Sequence, residues 1–248
     1  MTVNEAIFEA NKLIGLKALG FDEYNFMEPN HIMSYERTIN KMIQSIQYSY
    51  IMPSYNGHLA LSNISSGIVF TQINNILEKV ISSLNEQNEI RRVFLSHFQG
   101  ERHIYGEAIT FNKYSIQNYN NLLNQLPQIK IINSQKYQFD NLIKSTNLLR
   151  EYIESNILPF FNTIYDLQQL NDDIINRVPQ MEIGKYITGM LMCYKKQIIM
   201  KLCHNLDYDK YTNWLLELNK IDYENGKERF NGEYEFHTML IDFLSNMN

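Results

Sequence analysis

From Met42 to Met52 the chain alternates, with Met42, Gln44, Ile46, Tyr48, Tyr50 and Met52 set against Ile43, Ser45, Gln47 and Ser49. Period two suits a half-buried strand, because successive side chains leave opposite faces of the pleat. From about Ser134 onward the apolar residues recur at helical spacing instead: Phe139, Leu142, Ile143, Thr146, Leu149, Ile153 and Ile157 form one stripe, expected to break at Pro159. A chain that changes period in this direction predicts an α+β fold. The expectation is a small antiparallel sheet with flanking helices in the N-terminal half and a helical C-terminal half. Residues 1–133 read as an α+β lobe and 134–248 as a helical lobe, packed as one compact unit.

Local signals fill in the elements. Residues 3–19 read as a helix opened by Thr2, with Glu5 completing a capping box, and closed by Gly20; Val3, Ile7, Ala10 and Ile14 would face the core. The turn signal Pro53-Ser54-Tyr55-Asn56-Gly57 leads into a return strand over His58–Ile64, and another strand is expected around His31–Thr38. Ile73, Ile76, Leu77, Val80, Ile81 and Leu84 predict a helix covering one sheet face. A second hairpin is read from Arg92 to Phe111, with Gly100 in its turn. Further on, Asp166 and Gln169 cap a short helix, and Pro179 ends the connection after it. Residues 183–204 read as the most buried helix, with Ile183, Ile187, Met190, Leu191, Tyr194 and Ile198 on one face; helices near 209–220 and 229–246 finish the chain.

Composition bounds the class. With 44% hydrophobic and 20% charged residues the chain can pack a core. Its longest strongly apolar stretch, Tyr186–Tyr194, is under half of the roughly 20 residues that cross a bilayer. The N-terminus carries neither the basic nor the apolar region of a signal peptide, so a cytoplasmic address is expected. Cys193 and Cys203 stand about 15 Å apart along one expected helix, beyond disulfide reach, and are expected to be free thiols in a core. The chain holds 30 Asn, 31 Ile and 17 Tyr, the usage of AT-rich bacterial or phage coding, so Asn-rich stretches are given no functional weight.

Nine acidic residues against four basic ones lie between Leu206 and the end, so the whole net charge of −5 falls there. No basic stripe is visible, and nucleic acid is not expected as a partner, because phosphate binding needs clustered Lys and Arg. No GxSxG elbow, P-loop or GxGxxG occurs. His97 and His103 bracket Gly100 with Glu101 and Glu107 nearby, but this spacing matches no zinc pattern and reads as a solvated hairpin end. Asp222-Tyr223-Glu224-Asn225-Gly226 places glycine fifth where a calcium loop needs it sixth, which favours a plain helix connection. No catalytic residue, metal ligand or cofactor is therefore assigned, and the balance is against an enzyme.

The segment Leu149-Arg150-Glu151-Tyr152-Ile153-Glu154-Ser155-Asn156-Ile157-Leu158-Pro159-Phe160-Phe161, followed by Tyr165-Asp166-Leu167-Gln168-Gln169-Leu170, resembles a phrase of uncharacterised bacterial α+β families. Ala18-Leu19-Gly20-Phe21 and Gly67-Ile68-Val69-Phe70 extend the likeness to residues 15–175. Some of these families resemble immunity proteins encoded beside polymorphic toxins. The resemblance implies a non-catalytic protein-binding protein, and no catalytic residue comes with it.

The acidic, Tyr-rich C-terminal region supplies the expected docking surface for a basic protein partner. Asp207, Asp209, Glu217, Asp222, Glu224, Glu228 and Glu233 would steer association, while Tyr208, Tyr211, Trp214 and Tyr223 would anchor it. The protein itself is expected to be a monomer or dimer. Two other functions stay open: a self-assembling structural component of a phage or mobile element, and an enzyme whose site is gathered from distant residues.

Overall fold

The computed structural model describes residues 3–27, 32–51, 58–92, 109–110, 129–132, 136–137, 139–164, 166–187 and 191–247. Helix α1 (Val3–Ile14) stops at Gly15, where a φ of 73° turns the chain into a 3-10 segment, Leu16–Leu19, closed by Gly20 at φ 80°. The single helix expected over 3–19 is thus two pieces, because a left-handed residue interrupts the i→i−4 ladder and glycine adopts it without a Cβ penalty. Strands β1 (Asp22–Met27), β2 (Ile32–Ile39), β3 (Met42–Ile51) and β4 (His58–Phe70) follow, then α2 (Thr71–Ser82), β5 (Ile109–Thr110), β6 (Ile129–Ile132) and β7 (Lys136–Tyr137). The C-terminal half is helical: α3 (Phe139–Tyr152), α4 (Leu158–Thr163), α5 (Leu167–Leu170), α6 (Met192–Leu202), α7 (Tyr208–Glu224) and α8 (Glu233–Ser245). The fold is α+β, with its antiparallel sheet in the N-terminal half. No described helix is long and apolar enough to cross a membrane.

Strand order is β1-β2-β3-β4-β6-β7. β1 runs antiparallel to β2, with Asp22 opposite Glu36 and Met27 opposite Ile32. The alternation in β3 is realised: Met42, Gln44, Ile46 and Tyr48 are buried while Ile43, Ser45 and Gln47 are half-buried. β2 and β3 are joined by Asn40 and Lys41, both at positive φ (50° and 66°), the handedness that suits a two-residue hairpin. The sheet begins at Asp22, earlier than expected, and takes its far edge from β6 and β7, which lie in the stretch assigned to connection and helix. Residues 52–57 and most of the second expected hairpin, His97 and His103 included, fall outside the described residues.

Pro159 does not break the long stripe. A wide π-type turn, Ile153–Ile157, precedes α4, which carries Pro159 in its first turn, and Leu158 N–H bonds back to Ile153 O. The slip to i→i−5 bonding makes room for a residue that lacks an N–H and would otherwise crowd the preceding turn.

The chain forms two compact units that interleave along the sequence. One comprises residues 1–39, 43–68 and 111–165; the other comprises 40–42, 69–110 and 166–248. In the first, α1 packs on α3, and Tyr48 donates its hydroxyl to Asn11 Oδ1 at 2.7 Å while stacking on Tyr35. Arg37 lies 4.4 Å over the Phe21 ring and donates to Gln44 Oε1 and Leu19 O; Gln44 in turn donates to Phe161 O. An aromatic, an arginine and a buried amide so tie β2 and β3 to α4.

In the second unit α6 is the centre, as expected: Tyr194, Ile198 and Ile199 are fully buried, and α2, α7 and α8 pack around it. It starts at Met192, later than expected, with Ile183 and Ile187 reaching the core from a 3-10 segment (Gln180–Lys185) and the turn after it. The α2 stripe, expected to cover a sheet face, meets α6 and α8 within this unit. Asp166 caps α5 as expected, accepting from Gln169 N at 2.7 Å. Gly232, at φ 86°, begins α8 under Asn88, whose amide would lie 2.2 Å from an added Cβ. Gly232→Ala is therefore expected to cost about 2 kcal/mol, from left-handed strain plus a forced shift of Asn88. A urea midpoint equal to that of the parent protein would contradict this.

Candidate functional site

Helix α6 interrupts its apolar run with Lys195, Lys196 and Gln197, all buried. Polar groups at that depth need partners, and for Gln197 α7 and α8 supply them. Gln197 Nε2 donates to Thr212 Oγ1 at 3.1 Å, and its Oε1 lies 3.0 Å from His237 Nε2. Asn219 Nδ2 donates to Tyr194 Oη at 2.9 Å and faces His237 Nδ1 at 3.0 Å, while Tyr194 Oη donates to Glu233 Oε1 at 2.8 Å. Arg229 closes the chain on Glu233 at 2.6 Å. With amide nitrogen on one side and amide oxygen on the other, His237 is assigned as the neutral Nε2–H tautomer. Burial holds its pKa down, at about 4. Burial, reinforced by Glu233, raises the Tyr194 hydroxyl, which stays a donor. This network fixes the register of three helices.

Beside it lies a cavity of about 710 Å³. Its walls are the π-type turn Asn171–Ile175, the outer side of α6, the turn 204–207 and the start of α7. Lys196 Nζ is bonded to Gln180 Oε1 and sits 4.5 Å over the Tyr211 ring. Asn205 Nδ2 bridges Asn171 Oδ1 and Asn176 Oδ1 at 2.6 and 2.8 Å. A larger cleft, about 950 Å³ between α2 and α8, is lined by Val80, Met239, Phe243 and Met247, and every polar residue in its lining is exposed.

From the mouth of this cavity an apolar stripe runs along the outside of α7. Trp214, Leu218 and Ile221, at i, i+4 and i+7, are 50%, 41% and 51% exposed, and Leu206 just before the helix is fully exposed. Helical residues at that spacing share a face, here beside the buried face of Tyr211, Thr212, Leu215 and Asn219.

The residues expected from the sequence divide accordingly. Asp207, Tyr211 and Trp214 meet at the cavity. Asp209, Glu217 and Glu224 are exposed along α7, Asp222 is half-buried, and Glu224 lies 3.9 Å from Lys220. Tyr208 is half-buried beneath the Lys201 ammonium, and Tyr223 stacks on Tyr234 at 5.3 Å. Three have internal partners instead: Glu233 is buried on Tyr194 and Arg229, Glu228 accepts from Tyr234 N and Gly232 N, and Tyr211 donates its hydroxyl to Cys193 O. The calcium-like run is the end of α7 with Gly226 at φ 62°. Among the described residues no three His, Cys, Asp or Glu side chains are placed to hold a metal ion.

Lys196, Asn205, His237, Leu218 and Ile221 are not among the residues expected from the sequence. Polar residues inside an otherwise apolar helix signal the first and the buried network. The i, i+4, i+7 repeat, one third of a turn from the core stripe, signals the last two.

Cys193 and Cys203 are free, as expected, but half-buried instead of core. Cys203 Sγ contacts Leu167 O at 3.4 Å, and burial, with Asp172 and Asp166 adding to it, pushes the thiol up to about 11. Its alkylation is expected to be slow at neutral pH and to accelerate up to about pH 11, since only the thiolate reacts. Peptide-resolved labelling checks this; a rate already saturated at neutral pH contradicts it. Comparison of the chain with family models, with curated proteins and with solved structures found no match.

Proposed function

We propose that this is a non-catalytic protein-binding protein that docks a basic partner on the outer face of α7, in the manner of an immunity protein that covers a toxin. The observation that carries the reading is the stripe of Trp214, Leu218 and Ile221, with Leu206 at its end. A tryptophan and two large aliphatics left half exposed in one row are what a desolvated interface centre requires. The segment from Asp207 to Glu224 holds five acidic and two basic residues, so the flanks of the stripe favour a positively charged partner.

The division of labour is testable. Leu218→Ser with Ile221→Ser is expected to abolish retention of a partner that co-purifies with the parent protein from its native cell, leaving the fold intact. Glu217→Gln, Asp222→Asn and Glu224→Gln together are expected to slow association about tenfold at low salt, with dissociation little changed. That difference should shrink at physiological ionic strength, where screening acts over about 8 Å. Co-expression with the product of the neighbouring gene tests the toxin form of the proposal: growth with the parent protein, arrest with the stripe variant. Equal retention by parent and stripe variant contradicts the docking face.

A further inference from the structure

The cavity beside α6 and α7 has a different chemistry from the stripe. Its volume of about 710 Å³ lies within the range of small-molecule sites, about 300–1,000 Å³. One wall is a π-type turn, an irregularity that concentrates at functional sites, and it brings Asn171 and Asp172 to the cavity. The facing turn places His204 at φ 50°, in the left-handed helix-ending position that glycine usually takes. Asn205 locks that turn by bridging Asn171 and Asn176 while its own Oδ1 accepts from Asp207 N at 2.9 Å. Asparagine is abundant throughout this chain, so the pre-organised arrangement marks the site and the residue type does not.

Charge narrows the ligand. Lys196 is engaged by Gln180 and by the Tyr211 ring, and Asp172 accepts from the Gln168 and Asn171 amides, each at 3.0 Å. Asp207 and Lys210 add one charge of each sign. An ionic ligand finds no excess of counter-charge here, whereas a neutral one with many hydroxyls finds the exposed amide side chains of Gln168, Asn176 and Gln180 on the rim. Trp214 offers a single exposed aromatic platform, backed by Tyr211 at 5.6 Å between ring centroids. Tyr211 itself is buried and covered by Lys196, so a flat base has no second ring to complete a sandwich, while a sugar needs only one ring under its C–H face.

We propose that this cavity binds a neutral mono- or disaccharide laid on Trp214 and held at its edges by Asn176 and the neighbouring amides. The site shares Trp214 and Leu206 with the protein-docking stripe, but not Leu218 or Ile221.

Trp214 is the only tryptophan of the chain, so its emission reports the site directly. Titration is made with glucose, galactose, mannose, N-acetylglucosamine, maltose and cellobiose, with adenosine as the planar comparison. At least one sugar is expected to change the emission saturably, with a millimolar midpoint, and to receive saturation transfer on its ring protons in NMR. Trp214→Ala and Asn176→Ala, both at exposed positions, are each expected to weaken the NMR-detected binding tenfold or more. The Leu218→Ser, Ile221→Ser protein should bind sugar like the parent, which separates this proposal from the docking face. Absence of any sugar response, a response untouched by Trp214→Ala and Asn176→Ala, or adenosine binding tighter than every sugar would overturn it.

Discussion

The unit formed by α6, α7 and α8 is expected to lose about 3 kcal/mol of stability as the pH falls from 6.5 to about 4, because His237 is buried there as a neutral ring. In the unfolded chain the imidazole takes a proton near pH 6.5; in the folded one it resists until about 4. Between those values the unfolded state binds more protons, so lowering the pH favours unfolding. Above the window neither state is charged, and below it both are. Geometry agrees with the sign: a proton on Nδ1 would point at the Asn219 amide, a donor, and break one link of the network. Glu36 in the other unit acts in the opposite sense, since burial raises its carboxyl to about 7 and its ionisation weakens the fold as pH rises from 4.5. It is only half-buried, so its effect is discounted for solvent screening. Urea unfolding followed through Trp214, which sits on α7, isolates the first effect. A midpoint unchanged between pH 6.5 and 4 would contradict the neutral, buried imidazole.

Phe236→Ala is expected to be more damaging still, at about 3–5 kcal/mol, the range for emptying an aromatic site in a packed core. Phe236 is fully buried and meets Tyr194 edge-to-face, with centroids 4.8 Å apart and planes at 89°. Its loss leaves a cavity against the side chain that also anchors Glu233 and Asn219, so packing and polar network fail together. The urea midpoint should fall with an unchanged slope. By contrast Leu218→Ser and Ile221→Ser, on the exposed face, should each change stability by only about 0.5 kcal/mol. A loss under about 1 kcal/mol for Phe236→Ala would show that the three helices are not locked at this point.

Much of the fold was legible where a single period dominates. β3 was legible because its alternation needs nothing beyond the pleat, α2 because five apolar residues share one helical face, and α5 because Asp166 and Gln169 carry their own cap. β1 was missed: Asp22-Glu23-Tyr24-Asn25-Phe26-Met27 has a polar start and a bulge that breaks alternation. The β2–β3 turn was missed because Asn40-Lys41 lacks the glycine that usually marks positive φ. Pro159 misled because the compensating wide turn lies upstream and involves no unusual residue. Of the site, the aromatic and acidic composition of α7 was readable. Which residues face inward was not, because burial of Tyr211 on α7 and Glu233 on α8 depends on α6, far away in sequence.

The docking face itself is tested most directly by placing a photo-crosslinking residue at Leu218 and, as a comparison, at the exposed Lys79 of α2, then irradiating living cells. The account predicts one discrete adduct from position 218, formed with a basic protein, lost when Ile221→Ser is added, and absent from position 79. No adduct from position 218, or the same adducts from both positions, would contradict it.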